Sequence, residues 1–227
     1  MQNSINILST KILLSHQKQA LLNAGFSVTE ANFIKTENIP FSLSFGEGRG
    51  EADNLIFTSQ NAAQSVLLHP KCEELKTKNV FCVGLKTKAL LEENGFNVDV
   101  YVDYASDLAE IITLIYSSES YTFFSGNLRK ETLPKALTAA KVNFNEIQVY
   151  ETTLTPQKIK SAVDGILFFS PSAVESYLKE NKIKNEICFC IGNTTAEALE
   201  NNKVKNIIIA HQPSVENVIE DVIEEYK

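Results

Sequence analysis

The stretch from Gly165 to Leu199 reads GILFFSPSAVESYLKENKIKNEICFCIGNTTAEAL. It holds two short apolar runs, 166–169 (ILFF) and 187–191 (ICFCI), and each stops at a small polar loop. The loops are Ser170-Pro171-Ser172 and Gly192-Asn193-Thr194-Thr195, and a helix-like segment follows each. Short runs with aromatic and β-branched content, bounded by Gly, Ser or Pro, read as buried parallel strands. Ser170 ahead of Pro171 predicts a helix N-cap with Pro at the first helical position. Thr194 with Glu197 three residues on predicts a capping box. The order is strand, loop, helix, twice over, with hydroxyl-bearing loops at the carboxyl ends of the strands. In open α/β sheets that edge receives ligands.

The pattern recurs upstream. NLIFTSQNAAQSV (54–66) matches GILFFSPSAVESY (165–177), so Ser59 aligns with Ser170 at an offset of 111 (170 minus 59). VFCVGLKTKALL (80–91) matches CFCIGNTTAEAL (188–199), so Gly84 aligns with Gly192 at an offset of 108 (192 minus 84). Two matched motifs in the same order and at nearly the same spacing predict a duplicated α/β unit. The period is too long for a solenoid.

The rest of the chain fits this frame. Strands are expected at 5–8, 26–28, 55–57, 80–83, 98–102, 122–124 and 206–210, with helices between them. Gly25 and Gly95 are expected to stop helices in left-handed conformations. A short helix is expected after Pro156. Segments 31–38 and 145–153 read as extended. The glycines Gly46, Gly48 and Gly50 lack a preceding strand and read as a surface connection rather than a phosphate loop.

The first strand–helix unit is too small to fold alone, the C-terminal half lacks its first unit, and the middle is complete. The expected fold class is therefore α/β, with two similar parallel-sheet domains, one of them discontinuous. The discontinuous domain takes 1–30 and 154–227, and the inserted domain takes 40–145. Segments 31–39 and 146–153 form a two-stranded antiparallel linker, which would act as a hinge.

Composition narrows the function. The 227 residues carry a net charge of −7, which argues against nucleic acid or an anionic membrane as partner. No apolar run approaches the roughly 18 residues of a membrane span. The N-terminus shows no basic-then-apolar signal pattern, so a cytoplasmic protein is expected. Cys72, Cys82, Cys188 and Cys190 read as small buried apolar residues, with Cys188 and Cys190 on one strand face. With His16, His69 and His211 they make no zinc pattern. No metal and no disulfide is expected.

The segments FTSQNAAQSV (57–66), VGLKTKALLEENGF (83–96), FFSGNLRKETL (123–133), VYETT (149–153), FFSPSAVESYL (168–178), IGNTTAEAL (191–199) and AHQPSVE (210–216) carry a resemblance. In order and spacing they cover nearly the whole chain, which resembles the uroporphyrinogen-III synthases. The resemblance implies two α/β domains with the active site in the cleft between them. It implies a linear tetrapyrrole substrate, hydroxymethylbilane, closed with inversion of ring D. The route loses the hydroxyl to an azafulvene, attacks through the substituted carbon of ring D, and passes a spiro intermediate. The resemblance implies no cofactor and no metal; a monomer is expected.

By the same resemblance Tyr150 is the catalytic residue, a phenol assisting departure of the hydroxyl. The residues alone leave cross-strand aromatic packing open for it. Thr58, Ser59, Thr87, Gly126, Ser170, Thr194 and Thr195 are the candidate contacts to substrate carboxylates and hydroxyls. Capping loops present both hydroxyls and N–H groups, and helix dipoles supply positive potential without basic side chains. Lys11, where family members often carry Arg, and Arg129 are the basic candidates. The alternative reading is a non-catalytic two-domain binder of an anionic small molecule. A two-lobed glycosyltransferase would need more chain, and a receiver domain would need acidic residues where hydroxyls stand.

Overall fold

The structure, a computed structural model, describes residues 5–43 and 52–227. Gly46, Gly48 and Gly50 lie outside the described residues. The elements follow in chain order: β1 (Asn6–Ser9), α1 (Ser15–Asn23), β2 (Ser27–Glu30) and β3 (Ile34–Asn38). Then come β4 (Asn54–Phe57), α2 (Gln60–Leu67), α3 (Cys72–Leu75), β5 (Asn79–Val83), α4 (Leu85–Glu93), β6 (Asn97–Val102) and α5 (Ala105–Ile115). The central part ends with β7 (Ser120–Gly126), α6 (Thr132–Ala139) and β8 (Asn143–Leu154). The last third holds β9 (Gly165–Phe168), α7 (Pro171–Glu180), β10 (Ile187–Cys190), α8 (Asn193–Asn201), β11 (Ile207–Ile209) and α9 (Val215–Glu225).

The chain divides into two units, one contiguous over Thr36–Thr152 and one joining the stretch up to Lys35 with Thr153–Lys227. The discontinuous unit carries a five-stranded sheet, β11-β10-β9-β1-β2, whose pairings are all parallel. Its strands alternate strictly. Ile7, Leu167 and Phe189 face α1 and α9, while Leu8, Ile166, Phe168, Cys188 and Cys190 face α7 and α8. A strand buried on both faces favours apolar side chains, so the sequence shows near-continuous apolar runs. The C-x-C pair thus shares one face. All four cysteines are free, and burial pushes the thiols of Cys82, Cys188 and Cys190 up to about 12. They act as packing, not as nucleophiles.

The contiguous unit carries the sheet β3-β8-β7-β4-β5-β6, in which β4–β8 pair in parallel. Leu55, Phe57, Val80 and Cys82 face α2 and α4, while Ile56, Phe81 and Phe123 face α5 and α6. The 12-residue β8 pairs with β7 over Asn143–Tyr150 and has β3 as its other neighbour. Ile39 N donates to Val149 O at 3.1 Å, and Thr155 N to Phe33 O at 2.9 Å.

The sequence repeat becomes a topological one. Reading one sheet as β2-β1-β9-β10-β11 and the other as β8-β7-β4-β5-β6 aligns the two strand for strand. β9 then corresponds to β4 and β10 to β5, as the sequence match requires, and β1 takes the place of β7. The units are circular permutants of one arrangement. Ser59 and Ser170 cap their helices alike, accepting from Ala62 N at 3.2 Å and Ala173 N at 3.1 Å. Pro171 follows Ser170 at the start of α7 as the sequence predicts. Gly25 and Gly95 end α1 and α4 at φ +92° and +87°, a region that penalises any side chain.

Two local expectations fail. α8 starts from Gly192 rather than Thr194: Gly192 is extended at φ 173° and its carbonyl already accepts from Thr195 N and Ala196 N. With its N-terminus fixed two residues early, no capping box forms at Thr194. The helix after Pro156 is absent, because the buried Asn181 side chain takes up that backbone. It donates to Gln157 O at 2.8 Å and accepts from Ile159 N at 2.9 Å.

Gly165 starts β9 where a Cβ would stand 3.0 Å from Ile7 Cδ1, 3.1 Å from Phe189 Cε2 and 3.1 Å from the Tyr226 hydroxyl. Gly165→Ala overpacks this point and is expected to lower unfolding free energy by roughly 1–3 kcal/mol, read from urea denaturation midpoints.

Candidate functional site

In a doubly wound sheet, the order reverses at one strand pair, and the loops leaving those strands part to form a crevice. In the contiguous unit the reversal lies between β4 and β7. The loop after β4 supplies Thr58 and Ser59; the end of β7 supplies Gly126 and Asn127. Tyr150 comes from the neighbouring β8, where the register slips: Ser125 pairs with Gln148 but Gly126 with Tyr150, leaving Val149 as the extra residue. The slip breaks the two-residue alternation, so the consecutive Val149 and Tyr150 both pack on the α2–α4 side.

The phenol of Tyr150 then lies across Gly126. A Cβ there would stand 2.2 Å from Tyr150 Cζ and 2.7 Å from its oxygen, so the ring occupies space that only glycine leaves open. Ser59 Oγ donates to the phenolic oxygen at 3.1 Å and itself accepts from Ala62 N in the first turn of α2. The three groups form one chain, from a helix N-terminal amide through a serine to a phenol. The helix dipole places positive potential at its origin.

Beside it, Arg129 grips Glu146 with two bonds, Nε to Oε1 at 2.6 Å and Nη2 to Oε2 at 2.9 Å, and also pairs with Glu131. Ser125 Oγ donates to Glu146 Oε1 at 2.7 Å. Burial raises the Glu146 pKa, but the bonds from Arg129 and Ser125 and the Arg129 charge outweigh it and hold the carboxyl below its usual range. Asn127 completes the cluster by bonding both backbone groups of Thr152. Its Oδ1 accepts from Thr152 N at 2.8 Å, and its Nδ2 donates to Thr152 O at 3.1 Å.

In the discontinuous unit the reversal lies between β1 and β9. Thr10 ties the two exits, its N and Oγ1 donating to Leu167 O at 3.1 and 2.7 Å. Lys11 Nζ stands 5.3 Å from the centre of the Phe169 ring, next to the Ser170 cap. The loop carrying Lys11 is held from the end of β2: Leu13 N donates to Glu30 Oε1 at 2.8 Å and Ile12 N to Asn32 Oδ1 at 2.9 Å. Lys18 pairs with the other Glu30 oxygen at 2.5 Å. Among the described residues no group of three or more His, Cys, Asp or Glu is placed to hold a metal ion. Among them, no helix is long and apolar enough to cross a membrane.

Comparison with known proteins gives this geometry a family. Residues 15–220 match the family described as uroporphyrinogen-III synthase HemD. The chain belongs to the uroporphyrinogen-III synthase family. The uroporphyrinogen-III synthase of Saccharomyces cerevisiae is 24% identical over 209 residues, covering 76% of each chain. Among solved structures, the uroporphyrinogen-III synthetase of Helicobacter pylori superposes with a TM-score of 0.72 at 20% identity, over 97% of this chain and 99% of that one. A mutant uroporphyrinogen III synthase from the extremely thermophilic bacterium Thermus thermophilus gives 0.72 at 14% identity, over 99% and 100%. At these identities the structural likeness speaks for the fold: two α/β units with mainly parallel sheets.

Against that family, the expected residues separate by where they stand. Tyr150, Ser59 and Gly126 come together, with Thr58 one residue before the serine. Lys11 and Ser170 meet at the other reversal point. Thr194 is exposed in the first turn of α8, whereas Thr87 and Thr195 are 4% and 1% exposed and donate their N–H groups to Gly84 O and Gly192 O. The Arg129 guanidinium is engaged by Glu146 and Glu131. Asn127, Ser125 and Glu146 escaped the sequence reading. Asn127 sits inside the segment FFSGNLRKETL, but Glu146 meets Arg129 only through the β7–β8 register, which local pattern does not encode.

Gly126→Ala must displace the Tyr150 ring, and a loss of roughly 1–3 kcal/mol in stability is expected from denaturant melts. For Glu30, the folded pKa lies below the ordinary value: burial raises it, but the Lys18 bond, the Leu13 N–H and the Lys18 charge lower it further. A carboxyl depressed on folding stabilises above its unfolded pKa of about 4.3 and loses that contribution as pH falls through its folded pKa. The stability gap between wild type and Glu30→Gln, about 1 kcal/mol, is therefore expected in full at pH 7 and to close below about pH 4 in melts taken across pH.

Proposed function

We propose that this protein is a working uroporphyrinogen-III synthase. It closes hydroxymethylbilane to uroporphyrinogen III with inversion of ring D, in tetrapyrrole biosynthesis. As a cyclising lyase it must do two things: help a hydroxyl leave, and hold the reactive chain so that ring D attacks through its substituted carbon. The observation that carries the reading is the phenol of Tyr150, seated on Gly126 and hydrogen-bonded by Ser59 at the start of α2.

The direction of those bonds favours Tyr150 as an acid. Because Ser59 donates to the phenolic oxygen, the phenol's own hydrogen points elsewhere and, with no acceptor for it among the described residues, can serve the departing hydroxyl. As the C–O bond breaks, the pyrrole nitrogen supplies the electron pair, the hydroxyl leaves as water, and negative charge builds on the phenolic oxygen. Ser59 and the α2 dipole stabilise that charge. No strong base is needed. The remaining work is geometric, since closure without inversion competes, and fixing one geometry is a large share of such catalysis.

Eight carboxylates on the substrate call for many weak anchors. Lys11, Thr58, Ser59, Ser170 and Thr194 are the reachable set. The backbone at Gly126 and the helix starts that hold Thr87 and Thr195 supply N–H donors, each contact contributing roughly 0.3–1 kcal/mol when exposed. Arg129 contributes chiefly through Glu146. A net charge of −7 is no obstacle when positive potential is local.

The test is an isomer assay with hydroxymethylbilane generated in situ, followed by oxidation and chromatographic separation of the uroporphyrins. Mostly type III product is expected; type I alone, at the uncatalysed rate, would sink the reading. Tyr150→Phe should lower turnover by about 10²-fold with little change in melting temperature, consistent with a general acid. A Phe variant at full rate would remove Tyr150 from the chemistry.

A further inference from the structure

We propose that Asn127 and Glu146 are positioning residues for the Tyr150 phenol. The inference rests on the reading of Tyr150 as the reacting group and says what aims it.

A register slip in a strand pair can relax by sliding, because one extra residue can be accommodated at neighbouring positions. Here it is pinned on both sides of Tyr150. On the N-terminal side, Glu146 is tied to the end of β7 by Ser125 Oγ at 2.7 Å and to the turn beyond by both Arg129 bonds. On the C-terminal side, Asn127 bonds Thr152 at both its N–H and its carbonyl, doing with a side chain what β7 backbone would have done one pair further along. Between those two points the chain must absorb the extra residue at Val149, and this turns Tyr150 over Gly126. Glu146 and Asn127 hold the strand on either side of the ring rather than the phenol itself. Their effect on the reaction passes through backbone.

The bonds differ in kind, which gives each residue its own conservative variant. Asn127→Asp keeps the acceptor for Thr152 N and sets a carboxylate oxygen, in place of the donor, against Thr152 O. Glu146→Gln keeps an acceptor for Ser125 and gives up the charge facing Arg129. The alanine variants remove both functions. A purely structural role would cost stability alone, whereas a positioning role moves the ring.

The experiment uses the full chain labelled with 3-fluorotyrosine, whose seven tyrosines give seven fluorine resonances. Tyr150 is assigned by its loss in Tyr150→Phe. In Asn127→Ala and Glu146→Ala the Tyr150 resonance is expected to shift or broaden while the other six hold. Turnover should fall about tenfold with KM changed less than about twofold, and the type III fraction should drop. Glu146→Gln should restore the resonance and at least half the rate, and Asn127→Asp, which keeps one of its two bonds, should restore part of each. An unmoved Tyr150 resonance would overturn the proposal, as would all seven moving together in the conservative variants, or a raised KM at unchanged turnover. If Tyr150→Phe itself ran at full rate, the reading of Tyr150 would fail instead; that case is told apart because the fluorine shifts of the alanine variants would remain.

Discussion

A phenol resting on a position that has no side chain is the contact on which the rest of this site depends. Tyr150 and Gly126 are a strand pair brought into register by one extra residue, and their closeness leaves no room for a side chain at Gly126. A larger residue at Gly126 evicts the ring, and a strand pair without the slip carries the ring elsewhere. From that contact outward, each feature has a reason. Ser59 caps α2 and finds the phenolic oxygen within reach. Ser125 at the end of β7, and Asn127 and Arg129 just beyond it, bind β8 on either side of the slip. Helix capping and sheet register meet in a handful of residues because they sit at the reversal of strand order and on the strand beside it.

The two reversal points are built on one plan and finished differently. The contiguous unit ends β7 with Ser125 and Gly126 and continues into Asn127, and the permuted unit ends β1 with Ser9 and continues into Thr10 and Lys11. The first triplet seats an aromatic ring and fixes it. The second ties two strands through Thr10 and presents a cation over Phe169. One plan thus seats an aromatic ring at one reversal point and a cation at the other.

Much of this was legible in the sequence. Strand runs such as 166–169 declare themselves because burial on both faces favours apolar residues. Ser170-Pro171 marks a helix start because so few residue pairs satisfy that geometry. The repeat was visible in Ser59 against Ser170 and Gly84 against Gly192. What escaped depends on three-dimensional register. The meeting of Arg129 with Glu146 joins residues 17 apart through a parallel pairing, and nothing local announces it. The capping box at Thr194 failed because the Gly192 carbonyl accepts from Thr195 N and Ala196 N and starts the helix early. The helix after Pro156 failed because one buried side chain, Asn181, claims the backbone that would have formed it.

The permutation also sets an order of events for the growing chain. Every strand pair among β4 to β8 joins residues of one continuous stretch, so that sheet can form while synthesis proceeds. The other sheet cannot. β1 has β2 beside it early, but its other neighbour is β9, and Thr10 bonds Leu167 across a separation of 157 residues. Until β9 is made, an apolar edge carrying Ile7 and Leu8 waits without its partner. Prior folding of the insert shortens that wait: it draws the two ends of a long loop together and removes much of the closure entropy that an unfolded chain would face. The contiguous unit is thereby a folding aid to the unit that encloses it in sequence.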